Sequence, residues 1–151
     1  MRDAVALVAL MGVACGVGAA ERSSRNREAE AVPILEEVFR CEMHQFVDKA
    51  QERADTAVCL GVAEGQRIVD PPEGLVARLG LGSRVLPLSK CGGAEPVRLN
   101  AGPIEWQSDA EVRVSGTFQK SMQGTVPLVY RVVLDSGKWS CAGPIIAYDP
   151  L

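Results

Sequence analysis

His44 is the single histidine in 151 residues, and the one side chain whose ordinary pKa lies near neutrality. Arg40, Cys41 and Asp48 stand near it in the chain. Asp48 follows His44 by four residues, which on a helix lets a carboxylate orient an imidazole. A thiol at Cys41 beside that imidazole would imitate a cysteine nucleophile with its base. The competing expectation is an exposed His44 on a solvated helix face with Cys41 held in a disulfide, and a disulfide sulfur is no thiolate. The blander reading is preferred. The sequence contains no G-x-S-x-G, H-E-x-x-H, P-loop or dinucleotide fingerprint, and no paired, spaced acid and base. No catalytic residue, cofactor or metal is therefore assigned, and the chain is read as not an enzyme.

The five cysteines carry more information. An odd count needs a reason in an exported chain, and Cys15 supplies it by falling inside an export segment. The remaining four are Cys41, Cys59, Cys91 and Cys141, an even number that reads as two disulfides in an oxidising compartment. Four cysteines allow three pairings, and spacing does not choose among them. Gaps of 18, 32 and 50 residues lack the close C-x₂₋₄-C pairs of structural zinc sites, and no C-x-x-C redox pair occurs.

Residues 1–20 read as a signal peptide. Arg2 gives a positive start, and residues 4–14 (AVALVALMGVA) form an unbroken small and apolar run. Eleven helical residues rise about 16 Å against a hydrocarbon core of about 30 Å, so a signal-peptide core fits better than a membrane span. Two cleavage routes compete. Gly18-Ala19-Ala20 would release a soluble protein, whereas Met11-Gly12-Val13-Ala14-Cys15 resembles a bacterial lipobox and makes Cys15 the lipidation candidate. Residues 16–31 are small, polar and charged with no apolar stripe, as suits a flexible tether, and they favour the lipoprotein. Residues 32–151 then form a single α+β domain. The net charge of −3 gives no basic nucleic-acid footprint. Membrane contact is expected only through a lipid at Cys15.

A long helix is expected over 33–54. Pro33 suits a first helical position, and Leu35, Phe39, Met43, Phe46, Val47, Ala50 and Ala54 recur at spacings of three and four. Arg40, Glu42, Asp48, Lys49, Glu52 and Arg53 mostly take the opposite side. The period then changes. Residues 56–63 read as a buried strand and Ile68-Val69 as an extension of its partner; after the Asp70-Pro71-Pro72 break a short second helix is expected, capped by Asp70 or Pro71, with Leu75, Val76 and Leu79 facing inward and Gly80 and Gly82 ending it. Strands follow over 84–88, 97–106, 111–118, 126–134 and 138–147, with a tight hairpin at Asp135-Ser136-Gly137-Lys138. Helix and strands are segregated, which predicts α+β: the long helix laid on the concave face of a curved antiparallel meander.

This order resembles the cystatin-like and nuclear-transport-factor-2-like domains, and in particular small bacterial exported proteins of that type. The residues carrying the resemblance are Cys59-Leu60-Gly61-Val62, Asp70-Pro71-Pro72-Glu73-Gly74-Leu75, Leu88-Ser89-Lys90-Cys91, Gly102-Pro103-Ile104-Glu105-Trp106, and Tyr130-Arg131-Val132-Val133 before Gly137-Lys138-Trp139. The resemblance covers roughly residues 55–148. It implies the fold and makes Cys59 and Cys91 partners, with Cys41 left to meet Cys141. It does not transfer function. Enzymes of the nuclear-transport-factor-2-like group place Asp, His and Tyr in a cavity, for which this chain offers Tyr130, Trp106, Trp139 and Asp109. Cystatin-type inhibitors use a Q-x-V-x-G hairpin. Val112-Arg113-Val114-Ser115-Gly116 keeps the second Val and the Gly but lacks the Gln, and the Pro-Trp of the second loop is missing.

The leading expectation is a noncatalytic exported domain that binds a protein or small-molecule partner or supports the cell envelope. A cavity-based enzyme or small-molecule binder and a protease inhibitor are the alternatives. Mass spectrometry of the mature chain from a bacterial host that processes lipoproteins should find a lipidated N-terminal Cys15. A mature chain starting at Glu21 would select the soluble route, and an uncleaved, unlipidated chain would refute both.

Overall fold

The computed structural model describes residues 17–47, 56–92, 96–120 and 124–145. Cys15, Asp48 and the far end of the expected long helix lie outside these, whereas the expected cleavage site Gly18-Ala19-Ala20 lies within them. The chain divides into two units at Glu30/Ala31. It is an α+β protein in which helix α1 (Val17–Glu42) precedes a seven-stranded sheet.

Helix α1 starts sixteen residues before the expected Pro33 and contains Pro33 in its interior. The segment read as a tether is rich in Ala, Glu and Arg, all good helix formers. A missing apolar stripe argues against burial of such a segment, not against helix. Beyond Glu42 the backbone widens into a π-helical turn, Met43–Val47. Strands β1 (Val58–Glu64) and β2 (Arg67–Val69) form a hairpin. A single turn of helix, α2 (Leu75–Leu79), and the short strand β3 (Val85–Pro87) follow. Strands β4 (Val97–Ser108), β5 (Glu111–Lys120), β6 (Thr125–Asp135) and β7 (Lys138–Ile145) complete the sheet.

The sheet is mixed, which corrects the all-antiparallel expectation. Strands β4 to β7 are an antiparallel meander, but β1 pairs parallel with β4 on one side and with β3 on the other. The segment 65–96 carries the chain from the end of β1 back to its start, so β4 must run in the same direction as β1. Strands β2 and β3 share the far side of β1, one beside each half. The β6–β7 hairpin turns at Ser136 and Gly137, both at positive φ, as a tight two-residue turn between twisted strands requires.

Alternation sorts the strands' side chains onto two faces. Val97, Leu99 and Ala101 of β4, Val112 and Val114 of β5, and Leu128, Tyr130 and Val132 of β6 point inward and are buried. Ile34, Leu35, Val38, Phe39 and Met43 join them in one core cluster, so the second half of α1 covers the inner face. Trp106 of β4 and Trp139 of β7 meet edge to face, with ring centroids 5.8 Å apart. Their strands are three steps apart in the sheet, about 14 Å if it were flat, so the sheet curls toward α1 at this end.

Two bridges fasten this arrangement. Cys41 on α1 stands at disulfide distance from Cys141 on β7, with Cα atoms 6.2 Å apart. Cys59 on β1 pairs with Cys91, Cα–Cα 5.8 Å, pinning the turn after β3 to the sheet. A charged network adds a third tie. Arg40 on α1 donates to the carbonyls of Arg78 (2.9 Å) and Leu79 (3.3 Å) at the end of α2, and to Glu36 (2.7 Å). Arg78 donates to the same Glu36 carboxylate at 3.1 Å. Burial pushes the Glu36 carboxyl up, but the two guanidiniums outweigh it and hold it below the ordinary value.

Cys41 and Cys141 lie 100 residues apart, and closing so long a loop removes about 4–5 kcal/mol of unfolded-chain entropy in the chain-entropy model. Cys141→Ser paired with Cys41→Ser should lower the unfolding free energy in guanidinium by a large part of that figure. A loss below about 0.5 kcal/mol, the ordinary range for surface changes, would show that the bridge does not hold helix to sheet.

Candidate functional site

Among the described residues, the interface between the second half of α1 and the sheet is apolar except at one place. Glu42, the last α-helical residue of α1, is 0% exposed, and among the described residues it is the one buried charged side chain. The sequence reading put it with the polar face. It belongs instead to the buried stripe, four residues after Val38 and three after Phe39. Tyr130 of β6, also 0% exposed, faces it from the sheet. Carboxyl and hydroxyl interact without a hydrogen bond of normal geometry, and both Glu42 oxygens and the Tyr130 hydroxyl are closed to solvent.

Gly116 makes room for the pair. It sits on the inner face of β5, and a Cβ there would fall 2.9 Å from Glu42 Oε1 and 2.9 Å from Tyr130 Cε2. The alternation Val112, Val114, Gly116, Phe118 places a glycine where a large apolar residue is due, and that is the sequence signal for a close approach. Electrostatics follow from enclosure. Burial drives the Glu42 carboxyl well above its ordinary value, and the Tyr130 hydroxyl pulls back only in part. Burial, and then the neighbouring Glu42 carboxyl, raise the Tyr130 phenol above the ordinary tyrosine value. Both groups are therefore shifted toward their neutral forms.

The other sequence candidates separate from this pair. His44 is exposed on the π-helical turn, and Cys41 is bridged, so the thiol–imidazole reading has no free thiolate. Asp48 lies outside the described residues. Asp109 is exposed in the β4–β5 turn, away from the core, while Trp106 and Trp139 pack on each other. Val112-Arg113-Val114-Ser115-Gly116 lies in the first half of β5, paired on both sides by β4 and β6, and is not a projecting loop. The connection at 119–125 falls partly outside the described residues. Among the described residues no group of three or more His, Cys, Asp or Glu is placed to hold a metal ion, and no helix is long and apolar enough to cross a membrane.

A concave surface open to solvent lies elsewhere, between α2 and β3. This cleft of about 760 Å³ is lined by Pro71, Val76, Leu81, Leu86, Pro87 and Lys90 among others, and is mostly apolar. Leu81 is among the few exposed large hydrophobic residues. Asp70 fixes the cleft's shape by accepting hydrogen bonds from the Ser89 amide (2.7 Å) and the Ser89 hydroxyl, which hold its carboxyl below the ordinary value. The Cys59–Cys91 bridge anchors the same turn two residues later.

No family model, curated protein or solved structure matches the chain.

Gly116→Ala should destabilise the domain by about 1–3 kcal/mol, the usual cost of overpacking a filled core. Urea unfolding is the measurement. An unchanged midpoint would mean that Glu42 and Tyr130 can move aside freely.

Proposed function

We propose that this chain is a noncatalytic exported domain of cystatin-like or nuclear-transport-factor-2-like type, carried on a lipid at Cys15 or released as a soluble protein, which binds a protein or small-molecule partner or supports the cell envelope. The observation that carries the proposal is the separation of reactive groups from accessible space. The strongly perturbed Glu42 and Tyr130 are both 0% exposed beneath α1 among the described residues, with their polar atoms closed to solvent. The open cleft between α2 and β3 is lined mostly by prolines, glycines and aliphatic side chains, with Asp70, Glu73 and Lys90 as its charged residues and Asp70 committed to Ser89, a surface suited to contact rather than chemistry. The two cysteine pairs are compatible with an oxidising, extracytoplasmic location. The long helix followed by a curled four-stranded meander supports the fold assignment.

A cavity-based enzyme is the second reading, favoured by one observation: a carboxyl and a phenol with raised pKa values facing one another under the helix. One experiment separates the two. The full chain is expected to turn over none of a panel of chromogenic esters, peptides, phosphates and glycosides. It is expected to bind the apolar fluorophore anilinonaphthalene sulfonate, with Leu81→Glu plus Val76→Glu weakening that binding about tenfold, an effect of ~1.4 kcal/mol. Turnover in the wild type that disappears in Glu42→Gln would overturn the noncatalytic reading.

A further inference from the structure

We propose that Glu42 is a protonation-controlled latch, which in its neutral form holds the C-terminal end of α1 on the sheet and on ionising lets that end lift. Four observations carry this. Glu42 is wholly enclosed, and neither carboxyl oxygen has a normally formed hydrogen bond, so among the described residues a charge there would be compensated only in part, by the Tyr130 hydroxyl. It is the last residue of the regular helix, and the wider π-helical turn Met43–Val47 follows at once. Gly116 leaves no side chain on β5 to obstruct a carboxyl entering or leaving. Cys41, the preceding residue, is bridged to Cys141, so the helix end can roll outward about that point without leaving the domain.

Among the described residues the groups around the latch are few. From β6 Tyr130 faces Glu42; β5 contributes Gly116, and β7 the bridged Cys141. On α1 itself, Arg40 is exposed and committed to Glu36 and the α2 carbonyls, and His44 is exposed. Among the described residues no guanidinium or ammonium is identified as stabilising a Glu42 carboxylate. In the open helix end, Glu42 would meet water and regain its ordinary carboxylate value. The closed form therefore binds one more proton than the open form between that ordinary value and the raised one. Its advantage is complete below the ordinary carboxylate range and is lost as pH rises toward the raised pKa. The loss approaches tenfold in the opening equilibrium per pH unit for one proton.

The test is hydrogen exchange by mass spectrometry on the full chain between pH 5 and 9, corrected for the intrinsic exchange rate at each pH. Protection of the amides of 38–43 is expected to fall by up to tenfold per pH unit, while amides of β5 and β6 hold theirs. Glu42→Gln, which stays neutral, is expected to flatten the profile at 38–43. Tyr130→Phe is a second, independent arm. It removes the hydroxyl that partly stabilises the carboxylate, and so should carry the decline to higher pH. The latch is refuted if the sheet amides lose protection in parallel with the helix, if Glu42→Gln retains the wild-type slope, or if Tyr130→Phe leaves the profile unmoved. This inference does not depend on what the α2–β3 cleft binds.

Discussion

A curved sheet with one helix laid into it must bury that helix along a continuous strip, and here most of the structure answers to the requirement. Ile34, Leu35, Val38, Phe39 and Met43 supply the strip, and the inward residues of β4, β5 and β6 supply its bed. A Leu- or Phe-sized side chain contributes about 1.5–3 kcal/mol on full burial, so this contact outweighs any single ion pair in the domain. The Cys41–Cys141 bridge fixes where along the strip the helix sits. The Trp106–Trp139 contact marks how far the sheet bends to meet it. Gly116 sets the depth of approach at the polar spot.

The strands were legible because their period is strict. Val112, Val114, Gly116 and Phe118 alternate with Glu111, Arg113, Ser115 and Thr117, and the structure places the first set on the inner face. The hairpin at Ser136-Gly137 was legible because few residue pairs tolerate positive φ twice in succession. The direction of β1 against β4 was not legible. Alternation reports which face a residue occupies, whereas parallel or antiparallel pairing depends on where the intervening 65–96 segment returns the chain. The start of α1 was misjudged because Pro33 carries a genuine N-terminal preference, which the helix-forming residues before it override.

The buried pair was half visible. Glu42 falls at position 42 of a stripe that runs 35, 38, 39, 42, and its place in that series pointed inward even as its charge pointed out. Charge dominated the reading because a lone buried carboxylate is costly. Burial shifts this carboxyl toward its neutral acid, which lessens the cost and which spacing alone does not reveal. Tyr130 entered the sequence reading only as a cavity candidate implied by the family resemblance, and the fold shows that it faces Glu42. The α2–β3 cleft had its boundary marked by Asp70-Pro71-Pro72, while its floor depends on the Asp70–Ser89 contact across nineteen residues.

Both ends of the sheet are poor templates for another strand. At one end β2 has three residues and β3 three more, the latter ending in Pro87, so among the described residues no long run of free amides and carbonyls is offered there. At the other, β7 loses register against β6 between Tyr130 and Val132, turns through Gly143 at a φ of 100°, and continues with Pro144, which has no amide hydrogen to donate. Such edges resist the strand-to-strand growth that leads to fibrils. Many copies of this domain held close together would for that reason stay separate chains rather than extend one another's sheets.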